Sequence, residues 1–175
     1  MKHPLIAASL TLAGSAFAGG SSAQANDILL EVEIPQLDVA EYHRPYVAAW
    51  IENDQKKHVA DLLVWYQTEN RSGASERGET WLKDLRKWWR ISGRELSMPV
   101  DGISGPTKPA GKHKIDLTKA ISALPAGSYQ LVVEASREVG GRELIALSFS
   151  WDGTVLKSEP IQGSSELGAI TLVQN

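Results

Sequence analysis

The chain has 175 residues, a formal net charge of −3 and no cysteine. Without cysteine it can form no disulfide, thiolate-bound metal site, iron–sulfur cluster or C-x-x-C-H haem attachment, so its stability must come from packing. Its mildly acidic charge, mixed in sign, gives no indication of a nucleic-acid partner.

The N-terminal segment has the features of an export signal. A short basic start precedes an apolar run over residues 5–18, which is too short to span a bilayer comfortably. The first of two A-x-A cleavage patterns ends this run, and the second ends at Ala25. We expect cleavage after Ala25, so that residues 1–25 are removed and residues 26–175 form one soluble periplasmic domain. A retained membrane anchor is the alternative.

Most of the remaining chain shows the apolar patterns of β-strands. The second and third predicted strands form a hairpin, and both are apolar at successive positions, so both of their faces should be covered. The pair Gly140-Gly141 indicates another hairpin between the fifth and sixth strands. The predicted strands are Ile28–Ile34, Pro45–Ile51, His58–Tyr66, Lys112–Leu117, Ser128–Ser136, Arg142–Phe149 and Gly168–Val173.

The segment Glu79–Arg90 has a different period. Trp81, Leu85 and Trp88 recur at helical spacing, which predicts an amphipathic helix of about three turns with these side chains buried. The basic side chains of the segment are expected to face solvent, with a docking surface for an acidic partner as the alternative. Trp89 lies off the apolar stripe and is the candidate for contact with a ligand or partner.

These elements together predict the fold class. The helix follows the hairpin that is apolar on both faces and would cover its outer side. The predicted architecture is therefore mainly β, an antiparallel immunoglobulin-like sandwich with one amphipathic helical insertion.

The polar residues include no recognisable catalytic or metal-binding motif. His43, His58 and His113 are widely separated and match neither H-x-x-x-H nor H-E-x-x-H, so no metal site is predicted. The chain also lacks G-x-S-x-G, G-x-G-x-x-G and a phosphate-binding loop. A carrier or binding module, rather than an enzyme with catalytic residues, is the expectation.

The stretch D-G-I-S-G-P-T-K-P-A-G, which begins at Asp101, is rich in turn-forming residues. Its spacing D-x-x-S-G-x-T resembles the acceptor site at which a bacterial flavin transferase attaches FMN to a threonine hydroxyl. The resemblance implies that Thr107 is the attachment residue and that Asp101, Ser104 and Gly105 complete the motif. The attached flavin would supply the redox chemistry that a cysteine-free chain lacks.

One position departs from this motif. Pro106 stands where the acceptor pattern has alanine, and proline fixes its own φ angle and removes an N–H donor. The alternative is a plain connection before the next strand, in which Asp101 and Ser104 bond to nearby backbone groups.

Four parts of the chain carry a wider resemblance: residues 42–52, 81–90, 101–111 and 133–143. Their order and spacing are similar to those of the bacterial periplasmic family called domain of unknown function 2271. The resemblance implies an association with flavin transferases and PepSY-type membrane reductases in exported redox or iron-acquisition systems.

Two classes of function follow from these observations. The first is an exported electron carrier with FMN attached at Thr107. The second is a cofactor-free immunoglobulin-like module that serves as a binding or assembly partner.

Overall fold

The computed structural model describes residues 26–68 and 78–175, so the predicted signal peptide lies outside the described residues. Within them the chain forms ten strands and two short α-helices, α1 (Arg86–Ile91) and α2 (Thr118–Ser122). The strands are β1 (Ile28–Ile34), β2 (Tyr46–Asn53), β3 (His58–Tyr66), β4 (Ser104–Pro106), β5 (Gly111–Asp116), β6 (Gly127–Ser136), β7 (Arg142–Trp151), β8 (Leu156–Ser158), β9 (Ile161–Gln162) and β10 (Ala169–Gln174).

The strands form two sheets that pack as a sandwich. The four-stranded sheet has the order β5-β1-β10-β9, and the six-stranded sheet has the order β4-β3-β2-β6-β7-β8. All pairings are antiparallel except that of β3 with β4, which is parallel. The seven predicted strands correspond to β1, β2, β3, β5, β6, β7 and β10, so the prediction of a mainly antiparallel β-sandwich is confirmed.

The main core lies between the sheets. On β1 every second side chain is buried, because successive residues of a strand point to opposite faces. The inner face of the six-stranded sheet supplies the opposing side chains, each worth roughly 1.5–3 kcal/mol when fully buried. Among the residues in contact are Ile28, Leu30, Val32, Ile34, Val47, Ile51, Leu131 and Val133.

A second apolar cluster lies on the outer face of the six-stranded sheet. Ala48 and Trp50 of β2 point to this face, away from the main core, and contact the side chains that precede and form α1. Leu82, Leu85 and Trp88 cover them and are almost fully buried. The prediction that the helical segment covers the outer side of the hairpin is therefore confirmed.

The predicted three-turn α-helix is wrong in its form. Gly78–Asp84 is a 3-10 helix, and only Arg86–Ile91 is α-helical. A 3-10 helix has 3.0 residues per turn rather than 3.6, and within it Leu82 rather than Trp81 turns towards the core, where Leu85 and Trp88 also lie beyond its end. Trp81 consequently faces outward and is 46% exposed, which corrects its prediction as a buried residue.

The β6–β7 hairpin is confirmed, but its turn is longer than the glycine pair suggested. The N–H of Arg137 donates to the carbonyl of Gly141 at 3.0 Å, so the whole intervening stretch forms the loop. Val139 lies at its tip with a φ of 53°, a left-handed conformation that is unusual for a β-branched residue.

The stretch from Asp101 onward is not simply a connection. Ser104–Pro106 forms β4, in which Gly105 pairs with Trp65 of β3. Hydrogen bonds at both ends hold this strand: Val64 N–H donates to the Ile103 carbonyl at 2.8 Å, and Thr107 N–H donates to the Tyr66 carbonyl at 3.1 Å. A short strand of mixed polar residues carries no periodic signal, so the sequence did not predict it.

Glu143 on β7 fixes the loop before β10. Its carboxylate accepts hydrogen bonds from the N–H and hydroxyl of Ser164 at 2.7 and 2.9 Å, and from those of Ser165, both at 3.0 Å. Leu167 N–H donates a fifth bond at 2.9 Å. Partial burial raises the pKa of Glu143, but the hydrogen bonds from Ser164, Leu167 and Ser165 outweigh it and lower the pKa from 4.5 to about 2.

This lowered pKa predicts a pH-dependent stability. A carboxyl whose pKa is lower in the folded state stabilises the fold above about pH 4.5 and loses that contribution as the pH falls to about 2. Glu143→Gln should therefore cost about 1–2 kcal/mol at pH 7, a figure reduced by partial solvation. Urea unfolding should show the two proteins converging between pH 4.5 and pH 2. A difference that stays constant down to pH 2 would contradict the assignment.

Candidate functional site

A cavity of about 310 Å³ opens at one end of the six-stranded sheet. The start of β2 and the ends of β3, β4 and β6 meet the 3-10 helix there, so five separate parts of the chain form its wall. The volume lies at the lower end of the range for small-molecule pockets. The wall includes Arg44, Tyr46, Trp81, Asp84, Thr107 and Arg137.

Two aromatic side chains form part of the wall. Trp81 comes from the 3-10 helix, and the Nζ atom of Lys83 lies 5.5 Å from its ring centroid. The hydroxyl of Tyr46 donates to the carbonyl of Gly78 at 3.2 Å, which ties the start of β2 to the same helix. Burial raises the pKa of Tyr46, and the nearby carboxylates add to the rise, so this hydroxyl stays protonated at neutral pH.

The charged residues of the wall differ in how firmly they are held. The guanidinium of Arg137 donates to the Glu166 carboxylate through Nε at 2.8 Å and Nη2 at 3.1 Å, and both side chains are buried. The hydrogen bond to Glu166 raises the pKa of Arg137, which remains a cation at any relevant pH. Arg44 and Asp84 are exposed, so water screens their charges.

The acceptor-like stretch reaches this cavity at one residue only. Thr107 lines the wall, whereas Asp101, Ser104 and Gly105 lie outside it. Asp101 is exposed and has no hydrogen-bonding or ion-pairing partner in the described part of the chain. The Ser104 hydroxyl accepts a hydrogen bond from Val100 N–H at 2.8 Å, the local backbone contact expected of a plain connection.

Packing does not explain the glycine of the motif. A Cβ atom at Gly105 would lie 3.4 Å from the Trp65 ring, an ordinary contact distance, and its φ is not positive. The fold therefore tolerates a methyl group at this position, and the glycine is free to serve close approach by another molecule.

Trp89 lies elsewhere. It is half-buried, packs against the second apolar cluster, and its ring centroid is 6.4 Å from that of Trp88. It does not line the cavity, and its role in ligand or partner contact stays a prediction. The tryptophan that does reach the cavity is Trp81, and no local signal in the sequence assigns it there.

Buried carboxylates under α1 form a second polar group. Glu134 is fully buried, and its carboxylate accepts bonds from the N–H groups of Lys87 at 3.1 Å and Trp88 at 2.8 Å. Arg142 Nε donates to the same carboxylate at 2.6 Å. These contacts fix the start of α1 on β6 and leave no open position for a ligand.

Two more carboxylates hold the same helix. Glu52 accepts from Lys87 Nζ at 2.7 Å, and Asp61 accepts from the Trp88 indole N–H at 2.9 Å and from the Ser92 hydroxyl. No group of three potential metal ligands occurs within residues 26–68 and 78–175. The contacts of Glu52 and Asp61 join α1, or the residue after it, to β2 and β3.

Within residues 26–68 and 78–175, no helix is long and apolar enough to cross a bilayer.

No curated protein and no solved structure matches the chain. Residues 27–169 match the family described as predicted periplasmic protein (DUF2271), which confirms the family resemblance in the sequence. The match covers well over half of the chain, and the protein therefore belongs to the DUF2271 family of predicted periplasmic proteins.

Proposed function

We propose that the protein is an accessory component of an exported redox or iron-acquisition system and carries FMN through a phosphoester at Thr107. The observation that supports this proposal is the position of Thr107, which lines the same cavity as the exposed Trp81. A hydroxyl beside a concave site with an aromatic wall offers both an attachment atom and a place for a flat ring.

The attachment step is a group transfer in which FAD is the donor. The Thr107 Oγ–phosphorus bond forms, the phosphoanhydride bond of FAD breaks, AMP leaves, and the hydroxyl proton passes to solvent. A transferase of the periplasm would hold FAD and its metal ion during this step. The described residues of this chain include no group of three potential metal ligands.

The residues of the cavity fit the group that would be attached. A phosphodiester carries one negative charge, and the wall contains the exposed cation Arg44. Arg137 is already paired with Glu166, and two carboxylates, Asp84 and Glu138, also belong to the wall. Trp81 and Tyr46 provide aromatic surface for an isoalloxazine ring. Bound FMN would supply electron transfer, while the chain binds and orients it and shields one side from water.

The proposed partners follow from the family resemblance. A flavin transferase would modify Thr107, and a PepSY-type membrane reductase would deliver electrons. The immunoglobulin-like character of the sandwich belongs to the same proposal, since two packed sheets are common to many folds.

A cofactor-free binding or assembly module is the second candidate. It is favoured by β4, because hydrogen bonds at Ile103 and Thr107 hold the acceptor-like stretch against β3 and restrict its entry into another enzyme. In this case the same cavity would bind a ligand or partner without covalent attachment.

The proposal predicts flavinylation at one hydroxyl. After co-expression with the host's flavin transferase and purification from the periplasm, the protein should be yellow and heavier by one FMN moiety. Thr107→Val removes the hydroxyl at nearly constant volume and should abolish both signals, whereas Thr107→Ser should retain them. Intact-mass spectrometry and the visible spectrum decide the result, and circular dichroism checks the fold.

Two further variants separate the candidates. Thr171→Val, on β10, is a matched control that should leave flavinylation unchanged. Pro106→Ala restores the preferred acceptor sequence and should maintain or increase modification. If Pro106→Ala is flavinylated and the wild type is not, the site is a decayed acceptor and the binding-module candidate is supported. If neither the wild type nor Pro106→Ala takes up flavin, the likeness to an acceptor site is accidental.

A further inference from the structure

Trp81 is the most exposed of the six tryptophans, all of which lie in described residues. Trp50, Trp65, Trp88 and Trp151 are at most 5% exposed, whereas Trp81 is 46% exposed. It is one of the residues that line the cavity, so part of its exposed surface borders a concave site. An accessible indole in a cavity is the feature that most often contacts a flat ligand.

Val139 adds apolar surface to the wall of the cavity. It lies at the tip of the β6–β7 loop, is 77% exposed and adopts a positive φ of 53°. Trp81 and Val139 come from different elements, yet both border the same cavity. The wall of the cavity thus has apolar surface from two separate elements, among the polar residues that also line it.

Arg137 contributes the polar group. Its Nε and Nη2 atoms bond to Glu166, and Gly141 N–H donates to the same carboxylate at 2.8 Å, so the guanidinium is held in place. Nη1 has no partner among residues 26–68 and 78–175. Arg137 is one of the residues that line the cavity, and its side chain is 6% exposed.

We infer that this cavity binds a planar heteroaromatic ring without any covalent link, with Trp81 as the ring contact and Arg137 as a fixed donor to oxygen atoms on the ring. The choice of isoalloxazine as the ring rests on the proposed function; the binding itself does not depend on Thr107. An arginine held in place next to apolar wall surface favours rings that carry carbonyl or anionic oxygens over plain hydrocarbon rings.

Riboflavin tests the inference, because it has the ring but no phosphate. The chain produced without a flavin transferase is titrated with riboflavin, whose fluorescence falls when it stacks on an indole. Wild type should show saturable quenching. Trp81→Ala should weaken binding about tenfold or more, the usual effect of losing one stacking side chain. Trp81→Phe keeps an aromatic ring and should restore most of the affinity.

Two controls and one further variant make the result specific. Trp89→Ala removes a half-buried tryptophan outside the cavity, and Thr171→Val changes β10 of the other sheet, so both should bind riboflavin as wild type does. Arg137→Lys keeps a cation for Glu166 but removes the guanidinium nitrogen that is not bonded to Glu166. Once circular dichroism has shown that this variant has a native fold, we expect it to bind riboflavin more weakly than wild type. Trp81 is exposed, so its variants test the inference even if Arg137→Lys unfolds.

The possible failures are distinguishable. Absence of saturable binding by wild type, or equal affinity in Trp81→Ala, would overturn the inference. Mass spectrometry after co-expression would still report whether Thr107 is flavinylated, so the proposed function is judged separately. Riboflavin binding without modification at Thr107 would support the inference and leave the covalent link refuted.

Discussion

Replacement of Trp88 by alanine is expected to lower the free energy of unfolding by about 3–5 kcal/mol, the range for a large core aromatic. The side chain is fully buried in the second apolar cluster. Gly93 packs directly on its ring, since a Cβ atom there would lie 2.5 Å from Trp88. Truncation would leave a cavity and remove the indole donor from the Asp61 carboxylate. Urea unfolding followed by far-ultraviolet circular dichroism measures the effect.

The two neighbouring tryptophans provide matched controls. Trp89→Ala should cost less, because Trp89 is only half-buried. Trp81→Ala should change stability by about 0.5 kcal/mol or less, as expected for an exposed side chain. Equal and small losses for all three substitutions would show that Trp88 is not part of a core.

Replacement of Glu134 by glutamine is expected to be of similar severity, about 3–5 kcal/mol, as for one partner removed from a buried ion pair. The carboxylate is fully buried and accepts hydrogen bonds from Lys87 N–H, Trp88 N–H and Arg142 Nε. An amide presents an NH₂ group where only acceptors are needed, so at least one buried donor loses its partner.

A surface carboxylate on the other sheet is the control for Glu134. Glu31 on β1 pairs with Lys112 at 3.3 Å, and the Lys112 side chain is more than half exposed. Glu31→Gln should therefore change the free energy of unfolding by about 0.5 kcal/mol at most. A loss of the same small size for Glu134→Gln, measured by urea unfolding, would refute the view that this buried carboxylate fixes α1.

The sequence was sufficient for the strands because burial imposes a period on them. β1 alternates, and β2 is apolar at successive positions because α1 covers the face that does not meet the main core. The spacing of apolar residues along a segment reflects which of its side chains are buried, and in these strands burial follows a regular period.

The errors occur where long-range contacts or a different helical period decide the structure. The 3-10 geometry before α1 turned Trp81 outward, against the expectation for a period of 3.6. Glu134 contacts the backbone of Trp88 across 46 positions of sequence, and no local pattern reports such a bond. The strand β4 exists because β3 offers it a partner.

The candidate site shows the same difference between what a local sequence pattern predicts and what long-range packing decides. Thr107 was singled out from a motif, which is local, and the structure places it on a cavity wall. Trp81 and Arg137 reach that wall only through the packing of separate elements, so neither could be assigned to it from the sequence. The residue chosen as a ligand contact, Trp89, lies off the cavity because α1 turns it towards the second cluster.

The strand β4 has a consequence for self-association. The hydrogen bonds at Ile103 and Thr107 face β3, so by alternation the backbone of Ser104 and Pro106 faces outward. Ser104 N–H is already bonded to the Val100 carbonyl at 3.0 Å, and proline has no N–H. Ser104 and Pro106, at the β4 edge of the six-stranded sheet, therefore offer no free amide donor to a strand from another molecule, a common protection against aggregation. The proline that departs from the acceptor pattern thus closes this edge, and an alanine in its place would expose a donor there.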